Sequence, residues 1–173
     1  SIAEICLLTL QGGGLVGEKG FSGRLFNRLA GEGINVFLIT QASSQHSISL
    51  AISPRDIGPA RKVIMREFEQ ELETGRLEEP DFDDTLSIIA VVGENMRHKR
   101  GLSGKVFSSL GRSGVNVIAI AQGSSELNIS IAIDRKDLSK AVNSIHDSMF
   151  LSPVRTLNVY FCGVGNIGST LLR

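Results

Sequence analysis

The 173-residue chain has no tryptophan and a single tyrosine, and its 18 lysines and arginines are balanced by 18 acids. It lacks both the positive footprint and the aromatic platform of a nucleic-acid binder, so no nucleic-acid partner is expected. No apolar run approaches the roughly 18 residues needed to cross a bilayer. The first residues also lack the basic stretch and cleavage pattern of a secretory leader. No membrane partner is expected, and the location read from these absences is cytoplasmic. Cysteines are few: Cys6 and Cys162 each sit in an apolar, strand-like run and are expected as buried thiols rather than a disulfide. His46, His98 and His146 are scattered without metal-ligand spacing, so no metal site is expected. No Ser, His and Asp set and no Cys and His pair falls at matched loop positions, so no catalytic residue is assigned and the chain by itself is not read as an enzyme.

What the chain does have is a copy of itself. Sliding it by 81 residues sets GFSGRLFNRLAGEGINVFLITQASSQHSISLAI, residues 20–52, over GLSGKVFSSLGRSGVNVIAIAQGSSELNISIAI, residues 101–133. Sixteen of these 33 positions are identical, where unrelated sequences of ordinary composition would share roughly two. The register continues upstream, Ile5–Gly12 over Leu86–Gly93, and downstream, Asp56–Ile64 over Asp137–Ile145. Internal repetition of this kind outranks any short motif as an indication of architecture.

Each copy changes period in the same order. Cys6–Leu10 and Ser87–Val92 are apolar runs of strand length. Leu25, Phe26, Leu29 and Ala30, with Val106, Phe107 and Leu110, recur at helical spacing. Ser22 and Ser103 are placed to cap these helices, and Gly33 and Gly114 to end them. Val36–Thr40 and Val117–Ala121 read as buried strands, followed by the alternating strands around Ile48, Leu50, Ile52 and Ile129, Ile131, Ile133. A second helix carries Ile57, Ala60, Ile64 and Phe68 on one face, matched by Leu138, Ala141, Ile145 and Met149. The order strand, helix, strand, strand, helix predicts an α+β fold of two ferredoxin-like (βαββαβ) units, each needing one more strand. The stretch from Glu73 to Thr85, with six acids and one base, reads as a solvated linker. Gly75–Pro80 is too polar for a strand, so the missing strand is expected to be borrowed from elsewhere in the chain, interlocking the copies.

The duplicated loops suggest a site for a small zwitterion. Gly20, Phe21, Ser22 and Gly23, and again Gly101, Leu102, Ser103 and Gly104, lead into a helix start. Free amides and the helix dipole there favour a carboxylate, although an ordinary capped helix would read the same. Asn35, Val36 and Phe37, with Asn116, Val117 and Ile118, could offer strand-edge backbone groups to a ligand. Gln41 and Gln122 carry donors and an acceptor suited to its side chain, unless they only cap a turn. The basic run Arg97-His98-Lys99-Arg100 has no counterpart in the first copy and reads as a charged surface loop. At the C-terminus, Leu157–Cys162 runs into Gly163-Val164-Gly165-Asn166-Ile167-Gly168, a strand followed by G-x-G-x-x-G. That is the opening of a dinucleotide-binding unit, here without its remainder.

The doubled INVFLITQ-x-SS and VNVIAIAQGSSE segments, the phrase Val91-Val92-Gly93-Glu94-Asn95-Met96-Arg97 and the trailing GVGNIG resemble the central regulatory region of bifunctional aspartokinase/homoserine dehydrogenases. The resemblance implies two ACT domains packed through their sheets: 1–80 the first with its linker, 81–155 the second, and 156–173 the incomplete start of a dehydrogenase Rossmann domain. It implies an allosteric module for feedback inhibition in aspartate-family amino-acid biosynthesis, with threonine as effector and the residues named above as its contacts. Lysine-sensing relatives carry an acid where Phe37 and Ile118 stand, which argues against a cationic ligand. The fragment needs no cofactor, whereas the full-length enzyme would use ATP/Mg and NAD(P), the latter at Gly163, Gly165 and Gly168. A homodimer formed through sheet edges is also implied, in the cytoplasm, or in a plastid if the source is a plant. The competing readings are a structural oligomerisation module without ligand and a lysine-binding regulatory module.

Overall fold

A computed structural model describes residues 2–15, 19–41, 46–93, 100–122 and 128–150. The first copy consists of β1 (Ile2–Gln11), α1 (Phe21–Gly31), β2 (Val36–Gln41), β3 (Ser47–Ile52) and α2 (Ile57–Glu67). A short helix α3 (Glu69–Glu73) follows. The second copy repeats the series as β4 (Asp81–Val92), α4 (Leu102–Arg112), β5 (Val117–Gln122), β6 (Asn128–Asp134) and α5 (Leu138–Phe150).

All six strands form one sheet in the order β2-β3-β1-β4-β6-β5, with every neighbouring pair antiparallel. The expected borrowing of strands occurs at its centre. Asp81, Phe82 and Asp83 of β4 pair with Thr9, Leu8 and Leu7, giving the first copy its fourth strand. Ile2–Ile5 of β1 pair with Leu86–Ile89 and do the same for the second copy. The supposed linker is therefore a strand from Asp81 onward, which corrects the reading of Glu73–Thr85 as solvated throughout. Acidic side chains are tolerated there because Asp81 and Asp84 are exposed, while Phe82 packs against the first core and lies under the Arg61 guanidinium, 4.5 Å from its carbon.

The alternation of each strand distributes its side chains between two cores. Cys6, Leu8, Leu10, Ile48, Leu50 and Ile52 meet Leu25, Leu29, Ala60, Ile64 and Phe68 under α1 and α2. Ile89, Ile129, Ile131 and Ile133 meet Val106, Leu110, Ala141 and Ile145 under α4 and α5. The opposite face gathers Ile5, Leu7, Leu38, Ala51, Leu86, Ala119 and Ala132 into a third cluster drawn from all six strands. In a flat sheet of five spacings the outer strands would stand roughly 24 Å apart. Here residues of β2 and β5 come within 8 Å, Cα to Cα. The sheet is rolled, and the alanines on its inner face leave room for it to close.

Both α1 and α4 end as their glycines predict. Gly33 and Gly114 have φ of 69° and 64°. Their amides donate to the carbonyls of Ala30 and Gly111, and those of Ile34 and Val115 to Leu29 and Leu110. This is the paired hydrogen bonding of a Schellman ending, with Ile34 and Val115 buried behind it.

Among the described residues, burial leaves one side-chain group without a partner. Cys6 and Ser87 occupy the same place in the two copies, and both are fully buried. Burial first, then the nearby carboxylates of Asp84, Asp83 and Asp81, push the Cys6 thiol up to about 11, so it packs as a small neutral group. The Ser87 hydroxyl has no hydrogen-bond partner among the described residues. An unsatisfied buried hydroxyl costs about 1–3 kcal/mol. Ser87→Cys, which supplies the first copy's solution, is therefore expected to raise stability by about 1 kcal/mol in urea denaturation; a loss of stability would mean that the hydroxyl is satisfied.

Candidate functional site

The helix starts differ from expectation in their capping. Gly20 and Gly101 are the N-cap residues, in the left-handed conformation at φ 93° and 80°, and neither helix has a side-chain cap. Ser22 and Ser103 are not caps, because the helices begin at Phe21 and Leu102, two residues before the start that a serine cap would set. Neither first turn contains an acid. The positive end of each helix dipole is thus left without an anion from its own first turn. Gly23 and Gly104 are exposed beside it.

The candidate strand residues lie at the two outer edges of the rolled sheet. β2 and β5 face each other across an open groove of about 520 Å³. Val36, Phe37, Gln41 and Gln122 line it; the two glycine loops, Asn35, Asn116, Val117 and Ile118 do not. Thr40, Ile120, Ala121, Asn128 and Ser130 also contribute, and the sequence reading missed them. Their one visible signal is the two-residue period that places Thr40 opposite Ser49 and Ala121 opposite Ser130. That the two strands share a groove follows from the rolling of the sheet, which no local pattern reveals. None of the lining residues is charged. The groove can donate and accept hydrogen bonds but offers no ion pair.

Phe37, Ile39, Ile118 and Ile120 are each between 41% and 50% exposed along these same edges. Large apolar side chains beside unpaired edge backbone are the features that lead one sheet to extend into another.

In the first copy α1 is held by charge. The Arg24 guanidinium donates to the carboxylates of Glu67 at 2.9 Å and Glu71 at 2.6 Å, and to the Glu67 carbonyl at 2.9 Å. The hydrogen bond from Arg24 leads in lowering the Glu67 pKa, and Arg28 adds to it. Burial works to raise the Glu71 pKa, but the bond from Arg24 and a backbone amide outweigh it and leave it lowered. In the second copy the matching helices are tied by hydroxyls. Ser113 and Ser144 are 2.8 Å apart, and Ser144 donates to the Ser109 carbonyl.

Among the described residues no group of three His, Cys, Asp or Glu is placed to hold a metal ion, and no helix is long and apolar enough to cross a membrane. Cys162, His98 and the fingerprint residues Gly163, Gly165 and Gly168 lie outside the described residues.

The ACT domain family matches residues 8–68 and 89–149, one match on each copy. A bifunctional aspartokinase/homoserine dehydrogenase of Haemophilus influenzae is 34% identical over all 173 residues, which is 21% of its own length. The chloroplastic bifunctional aspartokinase/homoserine dehydrogenase 2 of Arabidopsis thaliana is 36% identical over 172 residues, 99% of this chain and 19% of that protein. The chain thus spans about a fifth of the length of these relatives. The ligand-free regulatory subunit of aspartate kinase from Thermus thermophilus superposes with a TM-score of 0.73 at 19% identity, over 86% of this chain and 97% of that one. The chain belongs to the ACT domain family, as a pair of ACT domains similar in sequence to the regulatory region of bifunctional aspartokinase/homoserine dehydrogenases.

Proposed function

We propose that this ACT pair is the sensor of a free amino acid, threonine, and that the bound effector sets the arrangement of the copies and, through it, the activity of the enzyme domains in a longer protein. The observation that carries this reading is that both helix starts are bare in the same way, each with a left-handed glycine, no side-chain cap and no acid in the first turn. A site for an anion is kept twice and not filled by the helix itself. Gln41 and Gln122, exposed at the ends of β2 and β5, are the groups offered to the effector's side chain. The absence of charge in the groove favours the hydroxyl of threonine over the ammonium of lysine.

The helix starts and the groove are separate features of one chain, and a second copy laid along β2 or β5 would complete the enclosure. The exposed apolar edge supports a homodimer of this kind. The same edge is what a ligand-free oligomerisation module would need, so dimerisation alone does not separate the two readings. The whole protein is read, from its relatives, as an aspartokinase using ATP/Mg joined to an NAD(P)-dependent homoserine dehydrogenase. Gly163, Gly165 and Gly168 would open the second nucleotide site.

Titration calorimetry is the test. Threonine is expected to give saturable heat and lysine none, and Gln41→Ala combined with Gln122→Ala is expected to weaken threonine binding by about 1–2 kcal/mol, or roughly five- to thirtyfold. Heat with lysine alone would select the lysine reading. No heat with either would select the structural one, and threonine binding unaffected by the double variant would remove the glutamines from the site.

A further inference from the structure

The residues that hold the loop before the first helix in the first copy are not repeated in the second. In the first copy the loop between β1 and α1 rests on the connector that leads to β4. The Gly14 amide donates to the Arg76 carbonyl at 2.7 Å, and the Glu78 amide to the Gln11 carbonyl at 2.8 Å. A Cβ on Gly14 would stand 2.8 Å from the Arg76 Cβ and 2.9 Å from its carbonyl oxygen, so only glycine fits against the connector there. Leu77, 3% exposed, plugs into the first core beside Leu15, and its amide donates to the Glu71 carbonyl at 3.0 Å.

The same connector is gripped a second time from α1. Arg24 reaches Glu67 and Glu71 and lies 4.7 Å above the Phe68 ring, which also stacks on Phe21 at 4.6 Å. Phe21 is the first residue of α1, and the Arg24 amide closes its first turn onto the Gly20 carbonyl. The second copy has Glu94 and Asn95 in place of Gly13 and Gly14, Lys105 in place of Arg24, and Ser148 and Met149 in place of Glu67 and Phe68. These substitutions remove from the second copy the residue types that make the fastenings of the first.

We propose that Arg24 and Gly14 are positioning residues that fasten the first copy's ligand loop to the connector, residues 69–80, so that an effector bound at this loop is felt at the central strand β4. The proposal rests on the reading that Gly20–Gly23 take the effector. The connector enters β4 at Asp81, which pairs with Thr9 of β1, so a shift of the loop reaches the strand shared by both copies.

Hydrogen exchange followed by mass spectrometry on the whole chain tests it. Saturating threonine is expected to slow exchange across residues 72–80 by about tenfold. A Gln122→Ala background would lower the contribution of the site that uses this glutamine. In that background, Arg24→Lys and Gly14→Ala are each expected to weaken threonine binding about tenfold, through lost preorganisation, and to abolish the slowing at 72–80. Arg24→Lys keeps the charge, so the variant remains folded by circular dichroism if Gly14→Ala does not. Calorimetric binding of threonine with unchanged exchange at 72–80 would overturn the proposal. So would an Arg24→Lys protein that melts lower but binds threonine as the parent does. A chain that binds no threonine at all would instead overturn the effector reading, and this proposal with it.

Discussion

Residues 1–80 and residues 81–173, produced as separate chains, are each expected to be unfolded, and to regain the native circular dichroism spectrum when mixed. The expectation follows from the centre of the sheet. β1 and β4 have partners on both sides, and each completes the other copy. Parting them would unpair Ile2–Ile5 from Leu86–Ile89 and Leu7–Thr9 from Asp81–Asp83. It would also open the third cluster, where Ile5, Leu7, Leu38 and Leu86 are at most 8% exposed. Exposing four such side chains costs on the order of 6–12 kcal/mol, which is comparable to the whole stability of a typical domain, about 5–15 kcal/mol. The halves would be chains of 80 and 93 residues, each with an exposed central strand, and at such a size one core leaves little margin. A first half that melts cooperatively alone, near the temperature of the whole chain, would show that the copies are independent domains.

Phe68→Ala is expected to have the largest effect of any single substitution, a loss of about 3–5 kcal/mol in urea denaturation. Phe68 is fully buried at the break between α2 and α3. It joins the first core, stacks on Phe21 and carries the Arg24 guanidinium on its face. Its loss leaves a cavity and removes the aromatic contact, itself worth about 0.5–1.5 kcal/mol. Met149 holds the matching place in the second copy but is only partly buried, so Met149→Ala is expected to cost less, roughly 1–2 kcal/mol. Equal losses at the two positions would contradict the asymmetry that the structure displays.

The parts of this architecture that were legible in the sequence are those fixed by local chemistry. The helical spacing of Leu25 and Leu29 places both in the core, and Gly33 and Gly114 end their helices because a left-handed residue is needed there. The alternation Ile48, Leu50, Ile52 marks a strand whose three apolar side chains are all buried under the helices. The doubling, visible at an offset of 81 residues, gave the two-copy plan, and the polar character of Gly75–Pro80 pointed to a borrowed strand. Less was legible where a partner decides the outcome. Asp81–Asp83 looks like solvated chain because its strand form comes from pairing with β1, not from its own side chains. The helix caps were misplaced by two residues because serine is the usual cap, whereas here glycine turns the chain. The shared groove of Gln41 and Gln122 depends on the roll of all six strands, a property that no window of sequence contains.

The most direct measurement of the central claim is a crystal structure of this chain grown with threonine. It is expected to show the amino acid's carboxylate against the amides of Phe21–Gly23, of Leu102–Gly104, or of both, with its hydroxyl turned to the glutamine of a neighbouring edge strand. A crystal saturated with threonine in which both helix starts hold only water would contradict the account.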